Sequence, residues 1–541
     1  MQAGAAVGRV LAELGVRQAF GVVGSGNFHV TNGLINAGAG FVAARHECGA
    51  ATMADAYARL SGQVAAVTVH QGCGLTNAMT GITEAAKSRT PMIVLAAEAN
   101  DPRSNFYVDQ DSLATSVGAV PMRLTAAADA VATATAAYRT AVDDRRTVLL
   151  NLPLAAQAEE ANDEWVLPEP ATPTVVVPSA DDLERLAAEL ARSTRPVFIA
   201  GRGARSPAAR EAVRLLAERT GALLATSAAA KGLFHHDAWS LDVSGGFASP
   251  LAAELIRAAD LIVGWGCALN MWTTRHGELI APGTTVIQVD VDAEALGRHR
   301  VIDFGVTGDV AATASAVPAA AGTRYRTDDI VRRIASECRW RNVPFDDPST
   351  AERIDPRTMS IALDDLLPAE RTVCVDSGNF MGYPSMFLSV PDERGFCFTQ
   401  AFQSIGLGLA SAIGAAIAQP QRLTVAALGD GGALMSIAEL DTVARLGLDM
   451  VIVVYDDEAY GAEVHHFGPD GHDLETVRFP ETDLASIARG FGLNGLTVRR
   501  IDDLAAVATW IAGDRTRPLL IDAKIIDDGG SWWLKEAFRG H

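Results

Sequence analysis

Two acidic turns in the last third of the chain carry the strongest chemistry. The apolar run Thr424–Leu428 ends in Gly429-Asp430-Gly431-Gly432, and a second run, Met450–Tyr455, ends in Asp456-Asp457-Glu458-Ala459-Tyr460. Glycines let the backbone approach a ligand closely. A helix that starts there offers free N–H groups to an anion. An acidic residue in an anion pocket makes sense when it holds a metal that bridges to phosphate, because Mg²⁺ is held by one or two carboxylates plus phosphate oxygens. Adjacent parallel strands bring both tips to one rim of a sheet, so Asp430 and Asp457 can share a cation. The plainer alternative is two ordinary strand-to-helix turns, since Gly-Asp-Gly alone is common.

Other groups suit proton transfer or substrate contact. Glu47 stands in Arg45-His46-Glu47-Cys48, running on to Ala54-Asp55-Ala56-Tyr57-Ala58-Arg59. His70 and Gln71 end an apolar run before Gly72-Cys73-Gly74, and an imidazole there can relay protons near neutral pH. Gln110, Glu463 and His466 lie in polar stretches, and Ser25 and His29 lie in the first strand-to-helix loop.

These residues need elements to hold them. Short β-branched runs alternate with Ala-rich helical stretches throughout, the pattern of parallel sheets covered on both faces. The fold class is therefore α/β, with three doubly wound parallel-sheet domains at 1–162, 179–322 and 350–541. The first should hold strands Ala19–Val23, Gly40–Ala43, Val64–Val69, Met92–Ala96 and Thr147–Leu152. The second should hold Val197–Ala200, Leu223–Thr226, Leu261–Gly264 and Val286–Asp290. The third should hold Thr372–Asp376, Thr424–Leu428, Met450–Tyr455 and Leu519–Ile525. A helix is expected over Leu434–Arg445, another over Leu409–Ala418, and a linker over Asp163–Pro178.

The 541 residues are 49% hydrophobic and 20% charged, an ordinary globular balance, and their net charge of −20 argues against a nucleic-acid or anionic-membrane binder. Only Lys87, Lys231, Lys524 and Lys535 are lysines. The six cysteines form no C-x-x-C pair, which fits neither a disulfide framework nor a zinc site and suits a reducing cytoplasm. The N-terminus shows no secretory pattern, and no apolar run is long enough to span a membrane. A cytoplasmic location with no membrane or nucleic-acid partner is expected.

With both acidic turns in view, Gly429-Asp430-Gly431 and the later Asp457 resemble the cofactor motif of thiamine diphosphate (ThDP) enzymes of the acetolactate synthase, pyruvate decarboxylase and benzoylformate decarboxylase superfamily. The Arg45–Arg59 segment is similar to that superfamily's RHE-x-x-A-x-x-x-A-D-x-Y-A-R run. The resemblance implies pyrimidine-binding, central and diphosphate-binding domains, with ThDP and Mg²⁺ as cofactors. It implies Asp430, Asp457 and the Ala459 carbonyl as metal ligands. Gly378, Asn379, Gly429, Gly431, Gly432 and Tyr460 would line the diphosphate side. Ile405, in Ser404-Ile405-Gly406, takes the place of the residue that bends the cofactor into a V, and Glu47 that of the carboxylate on the pyrimidine ring, whose bond tunes the cofactor's electronics.

The same resemblance gives four residues facing the substrate. His70 matches the histidine of benzoylformate decarboxylase, Gln110 the glutamine of acetolactate synthases, and Glu463 the glutamate of pyruvate decarboxylases. Glu47, His70, Gln110 and Glu463 are thus the expected catalytic set, with Ser25, His29, Gln71 and His466 around the substrate. One departure stands out: the family's paired Asn residues at the second turn are Asp456-Asp457 here, which adds negative charge beside a diphosphate. The central glycines Gly201, Gly203, Gly264 and Gly266 resemble a flavin-binding region, but Asn270-Met271-Trp272 replaces its Asp-Asp-Arg run, so FAD is not expected.

The implied activity is decarboxylation of a pyruvate-like 2-oxo acid and transfer of its acyl unit to a carbonyl acceptor. The implied assembly is a homodimer or homotetramer with active sites between subunits. The alternatives are a simple decarboxylase or aldehyde lyase, a non-catalytic ThDP-binding homologue, and a flavin or nicotinamide oxidoreductase.

Overall fold

The computed structural model describes residues 1–162, 164–167, 175–318, 325–527, 529 and 533. Three parallel six-stranded sheets follow one another along the chain. The first holds β1 (Gln18–Gly21), β2 (Gly40–Ala43), β3 (Ala65–Val69), β4 (Met92–Glu98), β5 (Val120–Arg123) and β6 (Thr147–Pro153), in the order β2-β1-β3-β4-β6-β5. The second holds β7 (Pro196–Ala200), β8 (Leu223–Thr226), β9 (Ser240–Val243), β10 (Leu261–Trp265), β11 (Thr285–Asp290) and β12 (Phe304–Thr307), in the order β12-β11-β10-β7-β8-β9. The third holds β13 (Arg371–Val375), β14 (Phe396–Phe398), β15 (Leu423–Gly429), β16 (Met450–Asp456), β17 (Asn494–Val498) and β18 (Leu519–Lys524), in the order β14-β13-β15-β16-β18-β17.

The central strands are buried along their whole length, as in β3, β4, β7, β13, β16 and β18. Helices cover both faces, and this is why these strands read as continuous apolar runs. Five strands were not foreseen: β5, β9, β12, β14 and β17. All five are sheet edges. They are short or only partly buried, so their sequences carry a weak apolar signal.

The third sheet positions its turns differently from expectation in one place. The expected helix Leu434–Arg445 is instead a helix over Asp430–Met435, a 3₁₀ turn over Ile437–Glu439 and a helix over Leu440–Leu446. Ser436 breaks it, its hydroxyl donating back to the Gly432 carbonyl at 3.0 Å, a bond that competes with helical continuation. Asp430 therefore begins a helix rather than standing in a loop before one. Half of the expected linker at 163–178 falls outside the described residues, as do 319–324 and most of the chain beyond 527.

The first and third domains share one apolar core. Helix Glu47–Ser61 runs against helix Gly408–Ala418, and Met53, Ala54, Ala412 and Ile413 are all fully buried between them. The approach is backbone-close: a Cβ on Gly414 would stand 2.1 Å from the Met53 carbonyl oxygen. In the second domain, a Cβ on Gly201 would stand 2.3 Å from the Gly266 carbonyl oxygen. Packing of one turn on the other accounts for these glycines without a ligand. Among the described residues, no helix is long and apolar enough to cross a membrane.

Candidate active site

Strands β15 and β16 are neighbours, with Gly429 opposite Tyr455. Their tips therefore set Asp430 and Asp457 side by side. Asp430 is 8% exposed. Burial, then the charges of Asp457 and Asp456, pushes its carboxyl up to about 8. Burial, then the charge of Asp456, pushes Asp457 up to about 7. The two carboxyls lie within hydrogen-bonding reach of each other, and among the described residues neither forms an ion pair. Such a contact needs a shared proton or a cation between the oxygens.

The surroundings make a cradle for an anion. A Cβ on Gly431 would stand 2.8 Å from the Tyr460 ring, and one on Gly461 2.2 Å from the Asp457 carboxylate. Gly378 has φ +140°, a conformation open to glycine alone. A cavity of about 280 Å³ is lined by Asp430, Gly431, Met435, Glu458, Tyr460 and Phe479. Ala459 pairs with Arg478 in an antiparallel bridge, and Glu458 takes φ +56°, which fixes the turn after Asp457. Among the described residues no three Asp, Glu, His or Cys side chains gather as a metal site. Two carboxylates, a backbone carbonyl and phosphate oxygens meet the needs of Mg²⁺. A larger cleft of about 680 Å³ opens in the second domain at Pro250, Arg257 and Trp340, distant in sequence from every chemistry-bearing turn.

Asp376 was missed by the sequence reading. It follows β13 directly, is fully buried, and accepts from the N–H groups of Ser377, Gly406 and Leu407 at 2.8, 2.9 and 3.2 Å. Burial still lifts it to about 6 against these bonds. A Cβ on Gly432 would stand 2.5 Å from its carboxylate. Asp376 thus ties the Gly378-Asn379 turn, the Ile405 loop and the Asp430 helix together. Its position directly before Ser377-Gly378-Asn379 was the available signal.

The rim of the first sheet carries the other group. Glu47 opens its helix, and its carboxylate accepts from the Asn77 amide at 3.1 Å. The helix start is held from the third domain, where buried Glu439 accepts from the N–H groups of Arg45 at 3.0 Å and His46 at 3.1 Å. Sequence reasoning missed Glu439, because no local pattern announces a contact across nearly four hundred residues. His70 Nδ1 accepts from the Gly26 N–H at 3.2 Å, so the neutral ring carries its proton on Nε2. The Gln71 side-chain oxygen is buried without a partner and lies where a Cβ on Gly26 would be, 2.0 Å away. Ser25 is exposed on the same loop, whereas His29, expected there too, is exposed in the first turn of the helix Phe28–Asn36, which begins one residue earlier than the loop reading allows.

Two groups of expected residues therefore form. Asp430, Asp457, Ala459, Tyr460, Gly378, Asn379, Ile405 and the Gly429–Gly432 turn lie at the third rim, with Glu463 and His466 on the next helix, Gly461–Phe467. Glu47, His70, Gln71, Ser25 and His29 lie at the first. Within one chain no hydrogen bond joins Glu47 to the Asp430 or Asp457 turn. Gln110 is 1% exposed and donates to the Asn151 side chain at 2.7 Å, so its amide is engaged inside the first domain.

Comparison with known families decides the class. The model described as "Thiamine pyrophosphate enzyme, N-terminal TPP binding domain" matches residues 1–116, the central domain of the same family matches 183–317, and its C-terminal TPP binding domain matches 376–523. The chain belongs to the thiamine pyrophosphate enzyme family. A sulfoacetaldehyde acetyltransferase of Castellaniella defragrans is 28% identical over 91% of this chain and 87% of its own length. A probable 2-ketoarginine decarboxylase of Pseudomonas aeruginosa is 29% identical over 93% and 90%. The acetolactate synthase isozyme 2 large subunit of Escherichia coli is 25% identical over 96% and 95%. The two TPP binding models fall on the first and third domains, the two that carry the rims described above.

Proposed function

We propose that this thiamine pyrophosphate enzyme uses ThDP and Mg²⁺ to decarboxylate a pyruvate-like 2-oxo acid and to transfer the acyl unit to a carbonyl acceptor. The observation that supports this most is the buried Asp430–Asp457 pair, two carboxyls within hydrogen-bonding reach of each other that form no ion pair among the described residues. Asp430, Asp457 and the Ala459 carbonyl would hold the metal. Gly378, Asn379, Gly429, Gly431, Gly432 and Tyr460 would receive the diphosphate, and Ile405 would support the rings. The bound cofactor supplies a nucleophilic carbon and takes up the electrons that decarboxylation releases. Glu47 accepts a hydrogen bond from the pyrimidine and fixes its tautomer.

His70, with its proton on Nε2, would donate to a developing oxyanion or to the product carbon, and Glu463 would be a second proton-transfer group. Ser25, His29, Gln71 and His466 would contact substrate, while Gln110 acts through Asn151. Because Glu47 bonds within its own domain, the complete site would join the first rim of one subunit to the third rim of another in a homodimer or homotetramer. Domain limits of 1–162, 179–322 and 350–541 fit this reading. The six free cysteines support a reducing, cytoplasmic setting. A second reading, simple decarboxylation to an aldehyde, draws support from the proton fixed on His70, since a ready donor favours protonation over transfer. Mass spectrometry of products from a panel of 2-oxo acids, with and without aldehyde or 2-oxo acid acceptors, separates the two. Coupled products establish transfer, aldehyde alone establishes the second reading, and no product from any pair contradicts both.

A further inference from the structure

The tip of β16 bears one carboxylate more than a metal site of this kind uses. Asp456 precedes the metal-facing Asp457 and is 1% exposed. Its register partner on β18 is Lys524, whose ammonium is fully buried and donates to Asp456 Oδ2 at 2.5 Å. Lys524 also donates to the Thr482 carbonyl at 2.9 Å and lies 3.2 Å from Asp522. The other oxygen of Asp456 accepts from the Glu458 N–H at 3.0 Å, which braces the turn that follows Asp457. The chain uses arginine almost everywhere for positive charge, and Lys524 is one of only four lysines. A compact ammonium with three donors serves Asp456, Asp522 and the Thr482 carbonyl from one point between the strand ends.

We propose that Lys524 is a positioning residue for the metal centre. It neutralises Asp456 and holds it towards β18, so that the tip of β16 presents Asp457 alone to the cation. Groups that orient metal ligands without touching the metal set its affinity. A buried carboxylate stripped of its partner must find another, and a cation held by the neighbouring Asp457 would be one. Freed in this way, Asp456 would compete with Asp457 for the metal and repel the diphosphate. The inference rests on the cation-and-diphosphate reading of the site.

The test is calorimetric binding of ThDP in saturating Mg²⁺ to the full-length wild type, K524M, D456N and K524M/D456N, with folding checked by circular dichroism. Lys524→Met should weaken binding by at least about 10-fold. Adding Asp456→Asn, which removes the charge that Lys524 balances, should restore affinity to within about threefold of D456N alone. Rescue by a second substitution is a response that a merely destabilising change does not give. Unchanged affinity in K524M, or a double variant as weak as K524M, overturns the proposal. If K524M does not fold, D456N and K524M/D456N decide: equal affinity supports it, and a further 10-fold loss, on the same scale, overturns it. A wild type that binds no ThDP removes the reading of the site itself, which separates that failure from this one.

Discussion

At the rim of the first sheet the polar groups find protein partners. Glu47 has Asn77, His70 has Gly26 and Gln110 has Asn151. At the rim of the third sheet Asp430 and Asp457 find each other, and burial drives both carboxyls far above their ordinary range. Glu47, His70 and Gln110 are thus bonded before any ligand arrives, while the Gln71 side-chain oxygen is buried without a partner. The third rim stores repulsion that a divalent cation would relieve. On the proposed reading, the third domain would organise metal and diphosphate, while the first would supply a largely pre-bonded surface for the reacting end.

The contrast breaks most sharply at Asp430. Asp430→Asn should abolish saturable ThDP binding at millimolar ligand, measured by calorimetry, while the thermal midpoint of the ligand-free protein stays level or rises. Removing one of two repelling buried carboxyls lowers the cost of folding. Binding that survives in this variant would deny the carboxylate pair its role. Glu47→Gln should do the reverse, with turnover falling by about 10²–10⁴-fold, the usual worth of a proton-transfer group, and ThDP affinity changing little. Equal losses in turnover and affinity would erase the difference between the two rims.

Acidity sharpens the same comparison. Native carboxyls near 7 and 8, against about 3.9 in the unfolded chain, mean that the native ligand-free protein holds more protons from about pH 4 to 8. Its stability therefore falls as pH rises through that window. Cation binding needs both carboxylates ionised, so it releases protons and tightens as pH rises. Calorimetry of Mg²⁺·ThDP binding in buffers of different ionisation heat should show release at about pH 6 that fades above about pH 8. No release at the lower pH contradicts the paired-acid account. The smallest effect is expected at Asn77→Ala, which removes one hydrogen bond from the half-exposed Glu47 and should lower kcat about fivefold, on the scale of one such bond, leaving ThDP affinity unchanged.

The parts legible in the sequence were those with a local signature. The central strands, the two acidic turns and the Arg45–Arg59 segment that carries Glu47 could be placed because an apolar run, a glycine turn and a motif each fit within a few residues. The edge strands β5, β9, β12, β14 and β17 were hidden because half-buried strands carry little apolar pattern. The break at Ser436 was hidden because a serine hydroxyl turning back on a carbonyl leaves no trace in periodicity. Asp376, Glu439 and Lys524 were hidden because their partners are remote in sequence: Gly406, Arg45 and Asp456. Gln110 was foreseen as a catalytic residue, and its bond to Asn151 could be seen only once β6 lay beside the helix that Gln110 begins.

The most direct test of the central claim is titration of the purified wild type with ThDP, once with Mg²⁺ and once with the divalent ions chelated. The account predicts saturable heat of binding in the first titration and its loss in the second. Equal binding in both, or no heat in either, contradicts a site in which Asp430 and Asp457 join a cation to the diphosphate.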